Sequence, residues 1–540
     1  MKKTISVLIA SLFMCSAAAD VSGVWVSDQN DGTYVNPVIN ADYSDPDVIA
    51  SPDGGFYMTA SSFCQVPGLP ILYSDDLVNW EIVNTALERI MPEEFYDIPR
   101  HGKGVWAPSI RYNDGEYYIF WGDPDFGVFM IKASDPKGEW SQPLLIWRGK
   151  GIIDTTPLWD EDGKAYLVNA WAASRAGMNS VITMTEMRWD GTGLIGHPSI
   201  VYDGNAEGNH TIEGPKIYKR DGWYYILAPA GGVAEGWQLA LRSRSPLGPY
   251  ESKIVLAQGN SSINGPHQGG LVDAPDGKSY FVHFQDKGFL GRVIHLNPVV
   301  WEDGWPIMGT AGQPVTSGKK PIEGSLLRTP QDSDDFNSPV LGKQWSWMAN
   351  YQPLFGFPSS EGYMRVYGHT LSEQFVNFWE VPNVLTQKFP SNDFTATAKM
   401  KISARNIGQQ SGLIVFGRDY ARLSVEFTGK EFELKFITCM DAETGACEVP
   451  HCVASVKAHM YNAGLHPNYE CMLWMRVKVT PLGDCVFSYS LDGENFKVID
   501  EPFIAREGKW VGARIGFFSV QSFGTVDRGW IDIDSIEFVK

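Results

Sequence analysis

Three carboxylates, Asp45, Asp154 and Glu213, stand at the same place in three similar phrases of this 540-residue chain. The phrases read DPDVIASPDGGFYMTA (45–60), DTTPLWDEDGKAYLVN (154–169) and EGPKIYKRDGWYYILA (213–228), and each acid lies eight residues before the aspartate of an Asp-Gly pair. Two further phrases share the pattern: WAPSIRYNDGEYYIFW (106–121) and QGGLVDAPDGKSYFVH (268–283) put Trp106 and Gln268 at that place. If the five phrases are equivalent elements around one axis, three acids, an indole and an amide meet at one end of it. Crowded, partly buried carboxylates cannot all stay ionised cheaply, so at least one keeps its proton near neutral pH. A neutral acid beside an ionised one is the pairing that breaks a glycosidic bond. The first protonates the leaving oxygen; the second activates water or attacks. The third can tune the acid and hold its orientation.

The elements that must position these groups are strands. Each phrase is a short apolar strand, a tight turn and a second strand alternating around Tyr or Phe, the pattern of a β-hairpin. The turn aspartates, Asp53, Asp114, Asp162, Asp221 and Asp276, are 61, 48, 59 and 55 residues apart. A mostly-strand unit recurring at that interval predicts a four-stranded blade, and five copies predict a five-bladed β-propeller. The innermost strands of a propeller surround its axis, so equivalent positions face one another across it. A weaker repeat, YSDDLVNW (73–80), ASDPKGEW (133–140) and RSPLGPYE (244–251), reads as the outer turn of a blade. The turn aspartates themselves serve turn geometry. Asp123-Pro124-Asp125 falls off the shared register and reads as a loop.

The fold expected is all-β. The propeller spans 30–315, and the polar, breaker-containing stretch 316–334 is a linker. Residues 335–540, a succession of short alternating strands, form a two-sheet β-sandwich. The chain carries 63 acidic and 44 basic residues, a net charge of −19. That surface repels phosphate backbones and anionic lipid, so no nucleic-acid partner and no membrane insertion are expected. The aromatic load, 19 Trp, 22 Tyr and 28 Phe, suits the flat faces of sugar rings.

Residues 1–19 read as a signal peptide: Lys2-Lys3, an apolar stretch from Ile5 to Met14, then Ala17-Ala18-Ala19. The stretch is too short to span a bilayer. Cys15 invites a lipoprotein reading, but Met14 before it favours ordinary cleavage. The mature protein is therefore expected to be exported, to the periplasm or beyond. The other six cysteines form no CxxC pair and complete no zinc site, so they are expected as mostly buried thiols with room for one disulfide.

These phrases, together with NPVINADYSDPDVI (36–49), SSFCQVPGLPILYSDDLVNWE (61–81) and LGRVIHLNPVVWEDGWP (290–306), resemble glycoside hydrolase family 43. Its members are five-bladed-propeller enzymes acting on arabinose and xylose units of plant polysaccharides. The resemblance implies that Asp45 is the general base, Glu213 the general acid and Asp154 the carboxylate tuning that acid. It implies inversion of the anomeric centre, with acid and base roughly 6.5–9.5 Å apart to admit water. Thr155 stands where the family usually has proline. By the same resemblance Phe63 and Trp106 wall the sugar pocket, and Arg292 hydrogen-bonds sugar hydroxyls. His267 matches an axial histidine that in many members lies near a calcium ion and its waters. No cofactor is required, a structural calcium near the axis is the open possibility, and no metal-ligating residue set is predicted.

DDFNSPVLGKQWSW (334–347) and GARIGFFSVQSFGTVDRGWIDIDSIEF (512–538) resemble the concanavalin-like sandwich of the xylosidase-type branch, which packs on the propeller and can lend a residue to the pocket rim. The expected activity is exo-acting, inverting release of non-reducing-end α-L-arabinofuranose from plant cell-wall oligosaccharide or polysaccharide. A β-D-xylosidase, or a bifunctional enzyme, is the alternative. A non-catalytic carbohydrate-binding propeller would keep Trp106 and Phe63 but has no use for three carboxylates in one register. A retaining fructan-type hydrolase would carry Glu-Cys-Pro where this chain has Glu213-Gly214-Pro215.

Overall fold

The computed structural model describes residues 21–461 and 467–540; the expected signal peptide lies outside the described residues. Each Asp-Gly phrase forms the first hairpin of a four-stranded antiparallel sheet, and five such sheets follow one another along the chain as the blades of a propeller. Their first strands are Asp47–Ala50, Trp106–Asn113, Ile152–Trp159, Lys216–Arg220 and His267–Asp273. Two of the five turns are two-residue loops with positive φ at both positions: Asp114 (48°) with Gly115 (85°), and Asp221 (52°) with Gly222 (72°). This type I′ geometry matches the twist of the strands. The other three loops are longer, since Ala50 pairs with Phe56, Trp159 with Ala165 and Asp273 with Ser279. In two of these the aspartate accepts from the backbone two residues on, Lys164 N to Asp162 (2.9 Å) and Lys278 N to Asp276 (3.0 Å). The weaker repeat forms outer turns tied by their aromatic residue. Trp80 donates to Leu77 O (2.9 Å), Trp140 to Pro136 O (3.2 Å) and Tyr250 to Pro246 O (2.9 Å).

The fifth blade is built wholly from its own strands, so closing the ring falls to the segment before the first blade. Asn36 donates to Leu296 O and Val315 O (2.8 Å each) and accepts from Leu296 N (2.9 Å). The polar stretch expected as a linker is not a free tether. Its strand Ser317–Lys319 pairs with Thr33–Val35, and Thr329 and Asp332 accept from Ser22 N (2.7 Å) and Gln387 Nε2 (2.9 Å).

Two eight-stranded sheets form the C-terminal sandwich. The strand Phe394–Ala404 shows the logic: Phe394, Ala396, Ala398, Met400 and Ile402 are buried at every second position, facing the other sheet. The sandwich is joined to the propeller by backbone hydrogen bonds. Val66 and Trp347 exchange a pair (3.0 and 2.6 Å), Asn350 N donates to Tyr96 O (2.8 Å), and Ala513 N donates to Phe289 O (2.7 Å). Among the described residues all six cysteines are free, with Cys64, Cys439, Cys471 and Cys485 buried and Cys447 and Cys452 exposed. No described helix is long and apolar enough to cross a membrane.

Candidate active site

At the shared position, or one residue after it, the backbone turns left-handed in every blade. Asp45, Ala107, Asp154, Gly214 and Gln268 have φ of 55°, 36°, 58°, 60° and 34°. In the second, third and fifth blades the ladder slips at that point. Such bulges re-aim side chains, and left-handed non-glycine residues persist where function requires them. In the fourth blade glycine removes the cost. A Cβ at Gly214 would also stand 2.5 Å from Gln268 Cγ, so Glu213 is followed by the one residue that fits.

All seven residues expected at the site line one cavity of about 100 Å³: Asp45, Asp154, Glu213, Phe63, Trp106, His267 and Arg292. Three donors converge on Asp45. Ser44 and Ser61 hydroxyls reach Oδ2 at 2.7 and 2.6 Å, and Arg292 Nη1 reaches Oδ1 at 3.1 Å. Ser61 Oγ also accepts from Ala107 N (2.7 Å), tying the first blade to the second. Arg292 is an interior residue, 8% exposed, and it lies 4.7 Å over the Phe284 ring.

Asp154 is 2% exposed and accepts from Gly214 N at 2.8 Å. Burial first, then the negative charges of Glu213 and Asp45, hold its pKa well above the usual carboxylate range. Glu213 is the most open of the three, its side chain 36% exposed, and Oε1 lies 2.9 Å from Nε2 of wholly buried His267. His267 Nδ1 and Gln268 Oε1 are buried without hydrogen-bond partners.

Phe63 and Trp106 stand edge to face at 6.3 Å, and Trp106 donates from Nε1 to Gly102 O at 3.1 Å. The third wall comes from the sandwich: Trp510 lines the same cavity, its ring 6.3 Å from Trp106. Trp510 belongs to no repeat, so no spacing marks it in the sequence. Lys216 was missed as well. It is wholly buried, donates to Pro108 O (3.1 Å) and adds positive charge near Asp154, although burial lowers its own pKa. Asp123-Pro124-Asp125 does more than a loop. Asp125 pairs with Lys103 (3.2 Å) and Arg175 (3.3 Å), and Arg175 lies 5.6 Å over Trp106, backing the pocket wall.

Comparison with known proteins follows the same division of the chain. The sequence profile described as Glycosyl hydrolases family 43 matches residues 34–306, and that described as Beta xylosidase C-terminal Concanavalin A-like domain matches 333–539. A protein named "Putative beta-xylosidase" from Xylanibacter ruminicola is 36% identical, over 91% of this chain and 86% of its own. A "Beta-xylosidase" from Formosa agariphila is 33% identical over 95% and 91%. The "Non-reducing end alpha-L-arabinofuranosidase BoGH43B" of Bacteroides ovatus is 28% identical over 81% and 85%. Among solved structures, a "Bifunctional GH43-CE" protein of Bacteroides eggerthii superposes with a TM-score of 0.78 at 26% identity. That match takes in 93% of this chain and 63% of the longer one. The propeller profile and these near-full-length relatives agree: the chain belongs to glycosyl hydrolase family 43 and is a glycoside hydrolase.

Proposed function

We propose that this enzyme is an exo-acting, inverting glycosidase that removes one pentose from the non-reducing end of plant cell-wall oligosaccharides or polysaccharides. Its first substrates are β-D-xylosides. The observation that carries this reading is the make-up of the site: three carboxylates line one small cavity together with Phe63, Trp106 and, from a second domain, Trp510. Such a cavity suits a chain end, not the middle of a polymer. The 36% and 33% identical relatives bear xylosidase names, which moves the weight from arabinofuranose, the first expectation, to xylose. The relative named for arabinofuranosidase activity keeps α-L-arabinofuranosides as the second reading.

In the proposed displacement, Asp45 takes a proton from water as the water oxygen bonds to the anomeric carbon. The glycosidic C–O bond breaks, its electron pair passes to the leaving oxygen, and Glu213 protonates that oxygen. Asp154, whose pKa burial and then the charges of Glu213 and Asp45 raise, stands beside Glu213 and sets the field in which Glu213 gives up its proton. The Gly214 N–H fixes Asp154, and His267 fixes Glu213.

A calcium ion is part of the proposal only as a support. The buried, unpartnered Nδ1 of His267 fits a hydrated ion near the axis. No group of three His, Cys, Asp or Glu able to hold a metal occurs among the described residues, so water would supply most of the ligands. Such an ion would supply fixed positive charge, and no step needs it. The 1–19 segment supports export to the periplasm or outside the cell.

Hydrolysis of an aryl β-D-xyloside, an aryl α-L-arabinofuranoside and xylobiose by wild type beside Glu213→Gln tests the reading. The wild type is expected to prefer xylosides, and the variant to lose about 10²–10⁴-fold on xylobiose, whose leaving group needs the proton. No pentose released by the wild type, or an unchanged rate in the variant, would overturn it.

A further inference from the structure

A second cavity, of about 80 Å³, lies between the two domains. Its lining includes Tyr43 and Ser61 from the propeller, Gln331 from the connecting stretch, and Trp345, Lys388 and Arg514 from the sandwich. In a chain of net charge −19, two cations on this lining, Arg514 and Lys388, have little counter-charge, whereas Arg328 pairs with Asp75 and with Glu81 (3.1 Å).

Arg514 is 4% exposed. Its Nε donates to Thr386 Oγ1 (2.7 Å), and its Nη2 to Ser346 Oγ (2.6 Å) and Thr386 O (3.2 Å), all neutral oxygens. It makes no ion pair among the described residues. Lys388 has one ionic neighbour, Asp42 Oδ2 at 3.9 Å, and stands 4.8 Å over the Tyr43 ring. The other oxygen of Asp42 already accepts from Arg292 N (2.9 Å). Arg514 is thus buried with no ion pair, against the rule that buried charges are paired, and beside it Lys388, its side chain 21% exposed, has only the Asp42 carboxylate at 3.9 Å. Burial pulls Lys388 down to about 8 and Arg514 to about 10, and the charge of Asp42 opposes both shifts without cancelling them. Gln331 Oε1 is buried with no donor to it, so an occupant of the cavity should offer a hydroxyl as well as a charge.

We propose that this interdomain cavity binds a small hydroxyl-bearing oxyanion, held by Arg514 and Lys388 and donating a hydrogen bond to Gln331. A sugar acid such as glucuronate and hydrogen phosphate share this chemistry; sulfate offers the charge without the hydroxyl. The occupant would touch both domains close to the active site. Ser61, on its lining, donates to Asp45, and Arg514 lies four residues beyond Trp510. Filling the cavity should therefore stabilise the domain contact that carries the pocket's third wall, because a ligand bound only to the folded state adds to its stability.

The full-length enzyme would be titrated with glucuronate, phosphate and sulfate at constant ionic strength in chloride, by calorimetry and by thermal unfolding. Sulfate raises unfolding temperatures generally, so saturation and the comparison with variants carry the result. Saturable binding of glucuronate or phosphate, tighter than sulfate and at least tenfold weaker in Lys388→Met, is expected. Which of the two binds tighter identifies the source. If Arg514→Gln fails to fold, Arg514→Lys and the Lys388→Met comparison still decide. No saturable binding above the chloride background, or equal affinity in wild type and Lys388→Met, would overturn the proposal.

Discussion

At Asp154 the cost of the site is concentrated. It is 2% exposed, with Glu213 and Asp45 as its nearest like charges, so ionising it opposes folding. A folded-state pKa above the unfolded value gives stability that is fully present below the unfolded pKa, and that stability is lost as pH rises through the folded one. Asp154→Asn removes that loss and keeps an oxygen for the Gly214 N–H. The variant should unfold at a higher temperature than wild type near pH 7, with the gap closing below about pH 3.5, the ordinary carboxylate range. Its activity on xylobiose should fall at least about a hundredfold, the scale of a lost acid–base partner. Thermal unfolding at the two pH values and initial rates check both halves. Equal unfolding temperatures at pH 7 would mean that Asp154 ionises there without strain. The three acids were legible because one side-chain type recurs at a fixed interval from a recognisable turn. Lys216 was not, because a lysine in a strand ordinarily reads as solvated, and only the packed axis reveals that this one is buried.

Among the elements, the loop carrying Trp510 depends on charges on its own domain and on packing against the other. Lys509 pairs with Glu443 (2.7 Å), Arg506 with Asp441 (2.6 Å) and Asp419 (3.2 Å), and Arg418 bridges Glu443 (3.2 Å) and Glu507 (3.3 Å). Across the domain boundary, a Cβ on Gly102 would stand 2.3 Å from Lys509 Cγ, and His101 stacks on Trp379 at 3.8 Å. Gly102 also holds Trp106, so both tryptophans of the pocket rest on one contact. Exposed ion pairs add little to stability, so Glu443→Gln should stay within about 0.5 kcal/mol of wild type. Its expected effect is a several-fold higher KM with kcat held. Trp510→Ala should raise KM about tenfold, the worth of about 1.4 kcal/mol of ring contact. Steady-state kinetics decide, and an unchanged KM in both variants would remove Trp510 from the pocket wall.

The hairpins themselves were legible, but their loop types only in part. SPDGGF and APDGKS put proline before the turn aspartate, which suits a type I turn and a longer loop. YNDGEY and KRDGWY lack it and close in two residues, but DEDGKA lacks it too and forms a longer loop.

For the whole molecule, the repeat count translates directly into blades, because each Asp-Gly phrase builds one sheet and no strand is borrowed to close the ring. What the sequence does not display is which surfaces meet. The stretch 316–334 looks like a tether by composition, yet its polar groups are spent on the N-terminal segment and the sandwich. The sandwich reads as a separate β domain, yet it supplies a wall of the pocket and the two cations of the interdomain cavity. Such contacts depend on the placement of two finished domains, which leaves no periodic trace. Because the pocket is completed only by both domains, the decisive test uses the intact chain. Proton NMR should follow the anomer of the xylose released from an aryl β-D-xyloside in the first minutes, before mutarotation. α-Xylose appearing first is expected from a single displacement in which Asp45 activates water. β-Xylose appearing first would contradict it, since retention requires one of these carboxylates to bond to the sugar.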